Sequence, residues 1–202
     1  MHRVAAGLVA LICWAGLVIR FSAMFDNTHD VAETLWILLR YFTIISNLLL
    51  AMAMSAVALG RRLSPFILGG LTLAILLVGV VYALLLQGLT PKSGSALLAD
   101  ILLHKVSPPA MTLWWLLFAP RGRLRWSAPL AWALYPVAYF AYAVTRAMHG
   151  DKYPYPFMDA AKLGWPQTLL NVGGIAMAFL LAGALLVWID RWRPLGSRRS
   201  SR

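Results

Sequence analysis

Residues 35–59 read LWILLRYFTIISNLLLAMAMSAVAL, with Arg40 as the one charged side chain and Thr43, Ser46, Asn47 and Ser55 as the neutral polar ones. An apolar stretch of this length is what a helix needs to cross a hydrocarbon layer about 30 Å thick. The stretch does not alternate apolar and polar residues as a barrel strand would, and only a helix or a closed barrel satisfies its backbone in lipid. Five more stretches of the same character lie at 4–25, 65–86, 97–119, 128–147 and 166–189. The expected fold is all-α, a polytopic bundle of six transmembrane helices. It forms one domain over residues 1–190 and is followed by a basic cytoplasmic tail at 191–202.

Composition agrees. The 202 residues are 61% hydrophobic and 12% charged, with a mean hydropathy of +0.73, whereas a water-soluble domain is about half apolar. Six crossings with short loops leave no room for a soluble domain. The 18 Lys and Arg against 7 Asp and Glu give a net charge of +11. A nucleic-acid partner is not expected, because that charge would need a solvated face that most of this chain lacks. Membrane lipids are the expected surroundings. Cys13 is the one cysteine; it has no disulfide partner and reads as a packing residue. The first stretch is too long for a signal peptide, and Phe21 stands where a cleavage site wants a small residue, so it reads as retained.

Counting cations by loop orients the bundle. Arg3, Arg61, Arg62, Arg121, Arg123, Arg125 and the arginines from 191 onward lie on one side. Lys92, Arg146, Lys152 and Lys162 lie on the other. The richer side is expected to be cytoplasmic, with both termini inside. Six of the seven acids, all but Asp190, then fall on or near the outer side. The basic loops read as topological signals in contact with anionic lipid.

Arg20, Arg40 and Lys105 remain inside the expected spans. Each costs about 2.5–3.5 kcal/mol at a bilayer centre, so each is expected to be paired or close to an interface. With this orientation all three sit in the outer leaflet. Neutral polar residues follow them. Arg40, Thr43 and Asn47 share one face of the second span, and Asp100, His104 and Ser107 share one face of the fourth. Tyr135, Tyr139, Tyr142 and Arg146 form a stripe on the fifth, and Gln167 and Asn171 open the sixth. The pattern implies a polar chamber in the outer half above an apolar floor, suited to an amphiphile arriving from the membrane.

Thr43 lies about 12 Å into its span and His104 about 10 Å into its own, so the two can meet. A neutral imidazole can take the proton of a threonine hydroxyl and make it a nucleophile. Asp100, one turn above His104, can orient the ring, and Asn47, Ser46 or Arg40 can donate to an oxyanion. The set suffices for ester cleavage. Each residue also has a structural reading. Thr43 can bond back to the Leu39 carbonyl, and His104 can join two helices. Asp100 can be an interface residue, and Arg40 can hold helices together. A carrier binding a lipid head group in the same chamber is the non-catalytic alternative.

Other chemistries lack residues. His2, His29, His104 and His149 lie in four separate regions, so no metal site is expected, and one intramembrane histidine cannot ligate haem on both faces. No cofactor is expected. Gly69-Gly70 and Gly173-Gly174 sit in apolar helices and read as close-packing contacts, not phosphate loops. Ser107-Pro108-Pro109 is expected to kink the fourth span just below His104. The loop motif Tyr153-Pro154-Tyr155-Pro156-Phe157 reads as an interfacial aromatic belt or as a lid.

The segments RYFTIISNL at 40–48, LHKVSP at 103–108, FAPRGRLRW at 118–126 and YPYPF at 153–157 together resemble the bacterial Pr6Pr membrane proteins. Those in turn look related to the animal androgen-induced and androgen-dependent membrane hydrolases. The resemblance covers nearly the whole chain. It implies a multi-pass protein of a bacterial inner membrane that hydrolyses a lipid ester of the fatty acid type. Carried over by position, the family nucleophile falls on Thr43 and the family histidine on His104. Asn47, Arg40, Ser46, Asp100 and Ser107 are the expected binding or oxyanion residues, and Tyr139, Tyr142, Arg146 and Asn171 are expected to line the approach. Lys105 and the double proline depart from the animal branch.

Overall fold

Helices account for most of residues 1–192, which the computed structural model describes, and no strand occurs among them. In chain order they are α1 (His2–Thr28), α2 (Val31–Leu38), α3 (Phe42–Ala58), α4 (Pro65–Val81), α5 (Gly94–Ile101), α6 (Ser107–Phe118), α7 (Ala128–Met148), α8 (Ala160–Leu163) and α9 (Trp165–Trp192). A π-helical turn, Tyr82–Leu86, extends α4, and a second, Leu102–Val106, joins α5 to α6. The tail expected at 191–202 lies outside the described residues from 193 on; Arg191 and Trp192 belong to α9.

By length and composition, His2–Thr28, Pro65–Leu86 and Trp165–Trp192 can each cross a membrane, and α2 with α3 makes a fourth candidate if counted as one broken span. The other long helical stretches carry the charged and polar residues singled out above.

One expected span is not continuous. Residues 35–59 bend by 100° between α2 and α3. Tyr41, the residue before α3, is extended at φ −94° and ψ 128°. No Gly or Pro marks the break. Tyr41 to Ile45 run aromatic, aromatic and then three β-branched residues, which are weak helix formers, so this is where interruption costs least. Arg40 therefore does not share a helical face with Thr43 and Asn47. It sits buried at the bend, and Thr43 occupies the first turn of α3.

The chain divides into two compact units. The first comprises Met1–Leu63 and Ala74–Phe118. Here α1 packs along α3 and against α5 and α6. Its buried face is small: Ala6, Val9, Ala10, Cys13 and Gly16 recur at helical spacing, while Leu8, Leu11 and Val18 face outward. Small residues let helix backbones approach where lipid gives no hydrophobic drive between helices. A Cβ on Gly16 would meet Leu103 Cδ2 at 2.6 Å, so α1 lies directly against the second π turn. Cys13 is a buried free thiol.

The second unit comprises Ser64–Leu73 and the described residues from Ala119 on. Gly69 and Gly70 pack under Trp132, whose ring a Cβ on either would meet at 2.8 Å. The Trp132 indole donates to the Phe66 carbonyl at 3.0 Å. Gly173 and Gly174, expected to pack closely, have nothing within 4 Å of where a Cβ would stand. Asp190, fully buried, fastens the basic loop after Ala119: its Oδ2 accepts from the Arg123 and Leu124 amides, each at 3.0 Å.

Candidate active site

The first unit brings together residues from α3, α5 and the two π turns. Both π turns contribute side chains here, in keeping with the tendency of such turns to occur at functional positions. The second one has a cause in the sequence. The Ser107 amide bonds back to the Leu102 carbonyl, so the next carbonyl, Leu103 O, would wait for the amide of Pro108, which has no hydrogen. A side chain fills the gap: Asn47 Nδ2 donates to Leu103 O at 3.2 Å, with Ser107 Oγ standing 3.1 Å from the same oxygen. In α register Pro108 would instead meet the His104 carbonyl and leave it without a donor, so the double proline favours a departure from that register one turn before itself, where Leu103 O becomes a seat for Asn47. Where a kink was expected below His104, the structure has this π turn, and His104 lies within it.

Asn47 is fully buried. Its amide also donates to the Thr43 carbonyl at 2.9 Å, and its Oδ1 accepts the Ser107 hydroxyl at 2.7 Å. Both N–H groups and the carbonyl are engaged, so Asn47 clamps α3 to the π turn and has no donor left for an oxyanion. Ser107, also fully buried, belongs to the same clamp. These two depart from their expected substrate-binding role.

Beside the clamp stand Thr43 and His104. Thr43 Oγ1 lies 3.2 Å from His104 Nε2. The other ring nitrogen, Nδ1, is 3.0 Å from the Asp100 main-chain oxygen and 3.2 Å from Asp100 Oδ1. A main-chain carbonyl can only accept, so Nδ1 carries the hydrogen; in the neutral ring Nε2 then holds a lone pair, and the Thr43 hydroxyl donates to it. Hydroxyl, imidazole and carboxylate thus follow one another in the order that nucleophile, base and orienting group take in a triad. Thr43 and Asp100 are buried, and the His104 side chain is 15% exposed.

Two side chains outside the expected set surround Asp100. The Tyr82 hydroxyl donates to Oδ2, and Lys92 Nζ to Oδ1. The Tyr82 ring stacks on His104, with centroids 4.2 Å apart and planes at 27°. Lys105 Nζ stands 5.8 Å from the centre of the same ring, which gives this cation a π face. The signals for both were weak: Tyr82 is a lone tyrosine in an apolar stretch and Lys92 a single cation in a short loop.

Among the remaining expected residues, Ser46 is buried on α3 and Arg40 at the bend. Tyr139, Tyr142, Arg146 and Asn171 belong to the second unit. There Arg146, buried, pairs with Asp151 at 2.5 Å and donates to the Tyr142 hydroxyl at 2.7 Å. The Tyr139 and Tyr142 rings lie 6.3 Å apart. Asn171 donates to the Phe157 carbonyl at 3.2 Å and accepts from Gln167 at 2.8 Å, which ties the aromatic loop to α9.

Compared with protein-family models, curated proteins and solved structures, the chain matches none.

Proposed function

We propose that this chain is an integral membrane hydrolase that cleaves lipid esters of the fatty acid type, with Thr43 as nucleophile and His104 as general base. In this reading α1, the bent pair α2–α3, α4 with its π turn, α5–α6, α7 and α9 are six crossings of a bacterial inner membrane. Both termini are cytoplasmic and the site lies in the outer leaflet. The observation that carries the proposal is the 3.2 Å contact of Thr43 Oγ1 with an imidazole nitrogen whose opposite nitrogen faces Asp100.

As Thr43 Oγ1 attacks the ester carbonyl carbon, its proton passes to Nε2 and the carbonyl becomes an oxyanion. The imidazolium is stabilised by Asp100, fixed 3.2 Å from Nδ1 before the reaction begins. Thr43 stands in the first turn of α3, so the positive end of that helix dipole lies beside the developing negative charge. Collapse breaks the ester C–O bond; the leaving alcohol takes the proton from Nε2 and departs, leaving an acyl-Thr43 ester. Water then attacks with His104 again as base, releasing the fatty acid and restoring the Thr43 hydroxyl.

The test is hydrolysis of a panel of long-chain esters by purified protein. The wild-type chain hydrolyses at least one. Thr43→Ala and His104→Ala each lower kcat by about 10²–10⁴-fold, the usual loss for a positioned base or its nucleophile. Full activity in either variant overturns the assignment. Wild-type protein that hydrolyses no ester but binds lipid favours a carrier.

A further inference from the structure

Asp100 carries more donors than orienting one imidazole requires. Its Oδ2 takes the Tyr82 hydroxyl; its Oδ1 takes the Lys92 ammonium and lies 3.2 Å from His104 Nδ1. The donors arrive from three places: the π turn after α4, the connection before α5, and the π turn after α5. That connection contains Gly88 at φ +84° and runs into Gly94 at φ +55°, backbone states that favour glycine, and Lys92 lies between them. A lysine serving only as an interfacial anchor would send its ammonium outward to head groups. The Lys92 side chain instead is 31% exposed and reaches inward to a carboxyl group that is 5% exposed.

We propose that Lys92 and Tyr82 are positioning residues for the Thr43–His104 pair, acting through Asp100. The kinetic part of this inference rests on the hydrolase reading above. An aspartate facing only one imidazole is free to rotate about its side-chain torsions. Here Lys92 and Tyr82 fix one oxygen each, and Oδ1 keeps a lone pair for Nδ1–H. Tyr82 acts twice, since its ring also stacks on the imidazole. The contribution of both is that the carboxylate need not move when the imidazolium forms.

In steady-state hydrolysis, Lys92→Met lowers kcat about tenfold with KM within about twofold, on the scale of one hydrogen bond to a charged group. Lys92→Arg recovers at least about half of kcat by keeping the cation. Tyr82→Phe keeps the stacked ring and loses about three- to tenfold in kcat. Wild-type kcat in Lys92→Met overturns the proposal, and so does a raised KM at unchanged kcat, which would make Lys92 a substrate-binding residue. A readout independent of hydrolysis separates this inference from the hydrolase reading. In protein labelled with ¹⁵N-histidine, the His104 Nδ1 resonance, identified by its loss in His104→Gln, shifts in Lys92→Met and Tyr82→Phe and returns in Lys92→Arg. An unmoved resonance in both variants overturns the proposal whether or not any ester is cleaved.

Discussion

Asn47 donates both its amide hydrogens to carbonyls, of Thr43 and Leu103, and accepts the Ser107 hydroxyl while wholly buried. Truncating it takes the amide donors from the Thr43 and Leu103 carbonyls, a loss of about 1–3 kcal/mol for buried polar groups deprived of partners. Asn47→Ala is therefore expected to lower the midpoint of thermal unfolding in detergent by several degrees. An asparagine that served only an oxyanion would lower kcat and leave that midpoint unchanged. The meeting of Thr43 with His104 was allowed by depth along two helices and expected from the resemblance, although the depth of Thr43 was counted along a straight span that the bend at Tyr41 breaks. Asn47 was visible as an intramembrane polar residue, but its use was not, because that depends on which carbonyl a proline on another helix leaves without a donor. Tyr82 and Lys92 carried no periodic signal, and only the fold around Asp100 distinguishes them.

Helix boundaries were readable nearly throughout, since each of the six apolar stretches coincides with helical chain. What the pattern did not convey was departure from α geometry. Hydropathy is blind to a 100° bend whose two arms are equally apolar, and to a π turn that inserts one residue without changing composition. Both departures bear on the site: the bend sets Thr43 at a helix start, and the π turn sets the rotation of His104. Pro108 maintains the second, because in α register its ring would meet the His104 carbonyl four residues back and leave that carbonyl without a donor. Pro108→Ala restores that donor. It is expected to keep or raise the unfolding midpoint, since alanine suits a helix interior. If the turn relaxes to α register, the preceding residues rotate by about 100° and kcat falls at least about tenfold. Unchanged kcat in a stable Pro108→Ala protein would show that the turn does not set the histidine. Gly16→Val bears on the same turn from the α1 side, where Leu103 occupies the space a side chain would need. Overpacking there is expected to cost about 1–3 kcal/mol, read as a lowered midpoint.

Across the molecule, the excess of basic residues divides by purpose. Eleven of the 18 fall in loops and termini on one side of the expected bundle, where the proposed topology has them set the orientation. One of those loops is also structural, since Asp190 fastens it through the amides of Arg123 and Leu124. Lys92 and Lys105 belong instead to the surroundings of Tyr82 and His104. The proposed topology predicts that, with Cys13 buried, a cysteine placed at Lys152 in intact cells reacts with a membrane-impermeant maleimide and one placed at Arg123 does not. The reverse pattern would move the Thr43–His104 pair to the cytoplasmic leaflet. The central claim, that Thr43 is a nucleophile activated by His104, is tested most directly by trapping it. Purified protein is treated with a long-chain fluorophosphonate and the modified peptide is mapped by mass spectrometry. The account predicts one adduct on Thr43 Oγ1, lost in His104→Ala. No adduct, or an adduct on Ser46 or Ser107 that persists in Thr43→Ala, would contradict it.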